Sequence, residues 1–200
     1  MAQLNGNSIW NLCHDGVSDS LKERDRLHDP KTGRSLPMIT PFLETKLVIN
    51  GKSAGLSVAS YDLRIAHDLT LGPHPGYFVR TGLGVPLSLI IDTPPPFALA
   101  HTIENVAIPL NVSGYVCDKS TYARMGVSCF NTLFDPGFIG NCTLELVNLS
   151  SETIIIRAGD PICQMVFHKL DQAADRGYEG KYQYQPSRPM PAMLEGTGLD

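Results

Sequence analysis

The segment Phe134-Asp135-Pro136-Gly137-Phe138-Ile139-Gly140-Asn141-Cys142-Thr143-Leu144-Glu145-Leu146-Val147-Asn148 reads as a turn running into a strand. Asp135-Pro136-Gly137 has the residue types of a tight turn between strands. From Asn141 to Asn148 the polarity alternates cleanly. Cys142, Leu144 and Leu146 fall on one face, and Thr143, Glu145 and Val147 on the other. Successive strand side chains point to opposite faces, so this period of two predicts a half-buried strand with Glu145 opposite the leucines.

The same grammar extends in both directions. Ile162–Leu170 alternates similarly, and Lys46–Asn50, Ser57–Ile65, Pro86–Asp92, Ile103–Ile108 and Val112–Cys117 are short segments rich in Val, Ile, Leu and Thr. Turn residues separate them: Gly72-Pro73, Pro75-Gly76, Gly82, Gly84 and Pro94-Pro95-Pro96. With 18 glycines and 15 prolines in 200 residues, the composition favours many short strands over a helical bundle. Such a pattern predicts a sandwich or barrel in one domain, long enough to bury its own core. No internal repeat or linker divides it. The first 35 residues differ: Ser20-Leu21-Lys22-Glu23 fits a capping box, predicting a short helix towards His28, and Asp29-Pro30-Lys31-Thr32-Gly33 reads as a turn.

Composition also excludes several function classes. A net charge of −4 argues against a general nucleic-acid binder, whose footprint would be basic. Apolar content of 42% with 18% charged residues describes a packed globule. The five cysteines (Cys13, Cys117, Cys129, Cys142, Cys163) are odd in number, widely spaced and without a CxxC pair, which disfavours a disulfide framework or structural zinc. Met1–Gly16 lacks the pattern of a signal peptide, and no apolar run reaches the ~18 residues that cross a bilayer. The expected setting is cytoplasmic and reducing, and the NxS/T matches at Asn111, Asn141 and Asn148 then read as chance.

Two further segments carry candidate chemistry. Lys119-Ser120-Thr121 with Arg124 could form a helical turn whose first amides, hydroxyls and two cations bind an anion. Read singly, Lys119 and Arg124 are also ordinary solvated charges, Asp135 a turn former and Glu145 an exposed strand residue. The stretch Tyr178–Pro189 holds three tyrosines, two glutamines and a lysine after the last strand. It suits either a frayed terminus or a flap that closes over a polar, ring-bearing ligand.

In order and spacing these pieces resemble the dCTP deaminase branch of the trimeric dUTPase-like superfamily. The resemblance runs from about Ile39 to Arg188. It rests on Ser60-Tyr61-Asp62-Leu63-Arg64, Ala98-Leu99-Ala100-His101-Thr102-Ile103-Glu104, Lys119-Ser120 through Ala123-Arg124, and Asp135-Pro136-Gly137-Phe138. It continues through Gly140, Thr143-Leu144-Glu145-Leu146, Gly159, Gln164-Met165-Val166-Phe167 and Lys181-Tyr182-Gln183. The fold it implies is mostly β: a distorted β-sandwich or jelly roll with few short helices, assembled as a homotrimer with active sites between subunits. The implied organisation is an N-terminal extension with a short helix (1–35), a dUTPase-like β domain (36–177) and a C-terminal tail closing over the nucleotide (178–200).

The activity the resemblance implies is hydrolytic deamination of dCTP to dUTP and ammonia. One carboxylate can serve both proton steps if a partly dry site raises its pKa; the family assigns this to the glutamate matching Glu145, with no metal at the base. Ser120 matches a serine that helps hold the water, and Arg124 an arginine near the water and the base. Lys119, Ser120, Thr121 and Arg124, with Lys181 and Gln185, match the segment and tail that grip the triphosphate. Asp135 matches the aspartate facing the deoxyribose, Tyr178 a tail tyrosine, and Thr143-Leu144-Glu145 the strand at the nucleotide. Mg2+ is expected through the phosphates. The H-x-E and P-C-x-x-C pair of zinc deaminases is absent.

One stretch departs from the family. Where deaminases read like H-x-T-A-G-x-I-D, this chain has Met125-Gly126-Val127-Ser128-Cys129-Phe130-Asn131-Thr132-Leu133-Phe134-Asp135, about two residues shorter. That loop lines the base pocket, which leaves two alternatives open. One is dUTP or dNTP pyrophosphatase activity through Asp135, alone or after deamination to give dUMP. The other is a non-catalytic dNTP-binding regulator; for the enzyme, the resemblance adds dUTP as a possible further ligand and dTTP as an inhibitor. Against a plain dUTPase, Glu145 stands where those enzymes have an apolar residue, and Lys181-Tyr182-Gln183-Tyr184-Gln185 replaces their glycine-rich tail motif.

Overall fold

The computed structural model describes residues 2–14, 25, 27–74 and 93–194. The strands are β1 (Ala2–Gln3), β2 (Ile39–Thr40), β3 (Leu47–Ile49), β4 (Lys52–Leu56), β5 (Tyr61–Arg64), β6 (Leu69–Leu71), β7 (Phe97–Ala107), β8 (Val112–Asp118), β9 (Val127–Cys129), β10 (Leu133–Phe134), β11 (Ile139–Asn148), β12 (Ile154–Ile156) and β13 (Pro161–Lys169). Among the described residues two helices join them, α1 (Gly6–Cys13) and α2 (Ser120–Arg124). The larger sheet runs β10-β8-β13-β5-β4-β3, with β1 also on β13. A second sheet runs β2-β7-β11-β9, and β12 pairs with β6 alone. All described pairings between strands are antiparallel, as expected of a sandwich built from turns.

One hydrophobic core takes side chains from both sheets. Leu63, Val116, Met165 and Phe167 come from the larger sheet, and Ala100, Val106, Cys142, Leu144 and Leu146 from the smaller. The mostly β sandwich read from the sequence is therefore the observed architecture. Among the described residues no helix is long and apolar enough to cross a membrane.

Local differences have physical reasons. Ser57–Ile65 is two strands rather than one, because Ser57 N–H bonds the Ser60 carbonyl at 2.9 Å and turns the chain between β4 and β5. The strand expected at Ile103–Ile108 begins earlier, at Phe97. Pro86–Asp92 and the capping box Ser20–Glu23 lie outside the described residues. The turn at Asp29 forms as read, with Asp29 Oδ1 accepting from Lys31 N–H at 2.7 Å. The helix that the sequence reading passed over is α1. Asn5 caps it by accepting from Ser8 N–H at 2.9 Å, and Ile9, Leu12 and Cys13 bury one face.

Buried charges cross-link the sandwich. Arg64 on β5 meets Glu104 on β7 twice, through Nε at 2.6 Å and its backbone N–H at 2.9 Å. Glu104 is fully buried; burial pushes its carboxyl above the usual range while the bonds from Arg64 pull it down. Replacing Arg64 by Met should cost about 3–5 kcal/mol in urea unfolding near neutral pH, because it strands a buried charge. The loss should shrink in acid, where Glu104 is protonated; an unchanged urea midpoint at neutral pH would show that the pair holds nothing.

Candidate active site

A cavity of about 380 Å³ opens on the outward face of β11. Its floor is Thr143 and Glu145, with Leu99 of β7 directly across the ladder from Glu145. Phe97, Leu133, Phe134 and Phe138 make the walls largely apolar. Cys142, Leu144 and Leu146 point the other way into the core, so the alternation predicted for this strand is the one observed.

The loop that departs from the family pattern frames this cavity. β9 pairs with the end of β11, and Phe130 N–H bonds the Glu145 carbonyl at 2.9 Å. Asp118 anchors the loop by accepting from Cys129 N–H at 2.7 Å and Ser128 Oγ at 3.0 Å. Thr132 and Leu133 then reach the cavity wall, while the rings of Phe130 and Phe97 lie 6.2 Å apart beside it.

The C-terminal tail closes the other side and is not frayed. Gln185 bridges to Gly140 as a parallel extension of the sheet; its carbonyl accepts from Asn141 N–H at 3.1 Å. Its side-chain Oε1 accepts from Thr143 N–H at 3.1 Å and Thr143 Oγ1 at 3.0 Å. Gln183 bonds Ile139 N–H and the Gly137 and Tyr178 carbonyls, each at 2.8 Å. Gly137 has a φ of 88° and lies so close to Gly177 that a Cβ there would meet its Cα at 2.3 Å. Only glycine therefore lets the Asp135-Pro136-Gly137 turn hold the tail.

Of the residues singled out from the sequence, Glu145, Asp135, Thr143, Tyr178 and Gln185 converge on this cavity. Asp135 is exposed at its rim. Leu144 faces the core, so its side chain takes no part in the cavity. Ser120, Thr121 and Arg124 sit exposed on α2 and do not line the cavity; neither does Lys181, whose ammonium lies 5.5 Å from the Tyr182 ring centroid. Lys119 is not the solvated charge it would be when read singly. It is 3% exposed, and its Nζ lies 2.8 Å from Asp62 Oδ2. Residues the sequence reading missed at the cavity are Phe97, Met190 and Ala192. Phe97 sits two residues before Leu99 on β7, a spacing of two that a longer strand assignment would have revealed.

Electrostatics single out Glu145. Burial raises its carboxyl above the usual range, and among the described residues no lysine or arginine lines the cavity to oppose this. Among the described residues no three His, Cys, Asp or Glu side chains gather in a way that could hold a metal ion. Burial likewise pushes the Cys142 thiol up, away from thiolate chemistry.

Comparison with known proteins gives the family. A family model described as dCTP deaminase-like matches residues 88–170. A dCTP deaminase of Campylobacter hominis is 35% identical over 170 residues, 80% of this chain and 90% of the relative. One from Granulibacter bethesdensis is 36% identical over 172 residues, 78% of this chain and 91% of the relative. The chain belongs to the dCTP deaminase family. Among solved structures, the EIAV dUTPase is similar with a TM-score of 0.44 and 16% identity, over 62% of this chain and 87% of that one. The dUTPase of the S. aureus phage phi11 has a TM-score of 0.44 and 16% identity, over 71% of this chain and 95% of that one. Asp62, Arg64 and Glu104, which lie within the motifs that carry the resemblance, are ion-paired, Arg64 with Glu104 and Asp62 with Lys119.

Glu145 gives a stability test with a definite sign. A carboxyl whose folded pKa is raised binds its proton more tightly in the native state, so stability falls as pH rises from the unfolded value through the folded one. Glu145→Gln should therefore melt higher than the parent at neutral pH, with the two converging as pH falls towards the ordinary glutamate range. A parent that melts higher at pH 7 would contradict the burial of this group.

Proposed function

We propose that this chain deaminates dCTP hydrolytically, giving dUTP and ammonia, with Glu145 as the group that moves both protons. The observation that carries the reading is a half-buried glutamate with a raised carboxyl, fixed on a core strand in a cavity walled by Phe97, Leu99 and Leu133. Glu145 takes a proton from water as the oxygen attacks C4 of cytosine and passes it to the ring nitrogen. A second proton transfer, from the new hydroxyl to the amino group through the same carboxylate, lets ammonia leave. A carboxyl tuned upwards suits both directions of transfer better than one at its ordinary value. Asp135, at the rim, faces the deoxyribose, and Tyr178 and Gln185 close the tail side. Asp135 and Glu145 are the carboxylates lining the cavity, too few for a magnesium cage, which fits an ion carried on the triphosphate oxygens that neutralises their charge.

Ser120 and Arg124, the residues assigned to the water and the base, lie exposed outside the cavity of their own chain. A homotrimer with sites between subunits supplies them from a second copy. Apolar side chains near the cavity mouth and α2 support this, with Leu133 55%, Phe130 53% and Met125 41% exposed. Mixing inactive Glu145→Gln with inactive Arg124→Ala, with subunit exchange, should restore ammonia release through hybrid sites. Mixtures that stay dead after exchange is demonstrated would place both residues in one subunit's site.

Asp135 supports a second reading, because an exposed carboxylate beside the shortened loop could activate water against the α-phosphate. Incubation with dCTP, CTP, dCMP and dUTP, scored for ammonia and pyrophosphate, separates the two. We expect ammonia from dCTP and none from Glu145→Gln. Near-normal ammonia release by that variant would remove Glu145 from the mechanism. Pyrophosphate lost on Asp135→Asn would establish the second activity, and binding without any product would leave a regulator.

A further inference from the structure

The turn that carries Ser120 and Arg124 is a poor helix by its own chemistry. α2 is five residues long and has no side-chain cap at its N-terminus. Isolated helices of this length do not persist in water. The residue at its N-cap is a lysine, whose charge opposes the positive end of the helix dipole. Something outside the turn therefore holds it.

From Lys119 to Arg124 two side chains are buried, Lys119 at 3% and Tyr122 at 1% exposure. Residues three apart share one helix face, so these two point inwards together. Ser120, Thr121 and Arg124 are left exposed. Each buried side chain ends on an acid from a different part of the larger sheet. Lys119 Nζ lies 2.8 Å from Asp62 Oδ2 on β5, and it donates to Ser53 Oγ on β4 at 3.2 Å. Tyr122 donates its hydroxyl to Asp160 Oδ2 at 2.7 Å, beside the start of β13. Asp160 is itself fixed by Asn50 Nδ2 at 2.8 Å, Lys52 Nζ at 3.2 Å and Arg157 N–H at 3.1 Å. Asp62 Oδ1 has no hydrogen-bond partner among the described residues.

We propose that Lys119 and Tyr122 are positioning residues. Anchored on Asp62 and Asp160, they fix the turn so that Ser120 and Arg124 face outwards in one geometry. This rests on the deaminase reading for the roles of Ser120 and Arg124, and it gives Lys119 a task other than gripping phosphate. A group that only bound the triphosphate would be free to follow it, whereas an ion-paired, buried ammonium is not.

The test uses the full-length protein, with Tyr122→Phe and the charge-balanced double variant Lys119→Met/Asp62→Asn, which avoids stranding Asp62. Hydrogen exchange of amides 120–126 reads the anchor directly. Kinetics with dCTP reads its consequence. Both variants should exchange faster in 120–126 and not in β11. Their kcat should fall on the order of 10- to 100-fold, as for a small misplacement of catalytic groups, with KM little changed. A double variant whose KM rises steeply while kcat holds would make Lys119 a phosphate ligand and overturn the proposal. Unchanged exchange and kcat in Tyr122→Phe would overturn it as well. If the parent protein releases no ammonia, the deaminase reading fails by itself, and the exchange result alone decides whether the anchors exist.

Discussion

A strand has two faces, and in β11 one must seal the core while the other carries the chemistry. Cys142, Leu144 and Leu146 fill the space between the sheets, which leaves Thr143 and Glu145 facing the cavity. A register slip of one residue would bury Glu145 and expose the leucines. The ladder is pinned where that risk is greatest, at the irregularity between Asn141 and Thr143. There Asn141 Nδ2 donates to the Thr102 carbonyl at 3.0 Å and the Glu104 carbonyl at 3.2 Å. Thr102 Oγ1 accepts from Cys142 N–H at 3.0 Å and donates to the Glu104 carbonyl at 2.6 Å. The carboxylate of Glu145 is thereby placed by a closed set of buried bonds rather than by a loop.

Buried charge does the complementary work between the sheets. Hydrophobic contact is not directional, so two packed sheets can slide at little cost unless something specific joins them. Arg64 and Glu104 join β5 to β7 through two bonds. In the folded molecule they are consumed by each other. Glu145 is the contrast: a half-buried carboxylate with no side-chain bond partner among the described residues, raised by burial.

How much of this was legible follows from the range of the forces involved. The alternation at Asn141–Asn148 is local, and it placed Glu145 correctly from sequence. The resemblance placed Asp135, Tyr178 and Gln185, which the structure gathers into one cavity. The helix Gly6–Cys13 was missed although its signals are local, an Asn5 cap and apolar residues at Ile9, Leu12 and Cys13. The burial of Lys119 was not legible for a different reason. A lysine beside Ser and Thr looks solvated or anion-binding, and its partner Asp62 lies on another strand, far along the chain. Long-range pairing of charge leaves no periodic trace, so no window of sequence around Lys119 contains the answer. The tail was undecided for the same reason, because its order depends on backbone bonds to Ile139, Asn141 and Thr143.

The placement of cations follows from the same chemistry. A carboxylate can shuttle protons near neutral pH only if its surroundings raise its pKa, and a nearby cation would lower it. Among the described residues of one chain the cavity contains no lysine or arginine, the charge of Lys119 is met by Asp62, and Arg124 and Lys181 stand exposed outside. The half-buried carboxylate and the exposed cations are thus kept apart, one in an apolar cavity, the others at the surface. In the proposed trimer Arg124 of the partner subunit approaches Glu145 from outside. The ionisation of Glu145 is then a balance between burial, set by its own strand, and a cation delivered by assembly. Because the turn bearing that cation is anchored rather than free, the balance is fixed by the fold and does not depend on where a mobile side chain happens to rest.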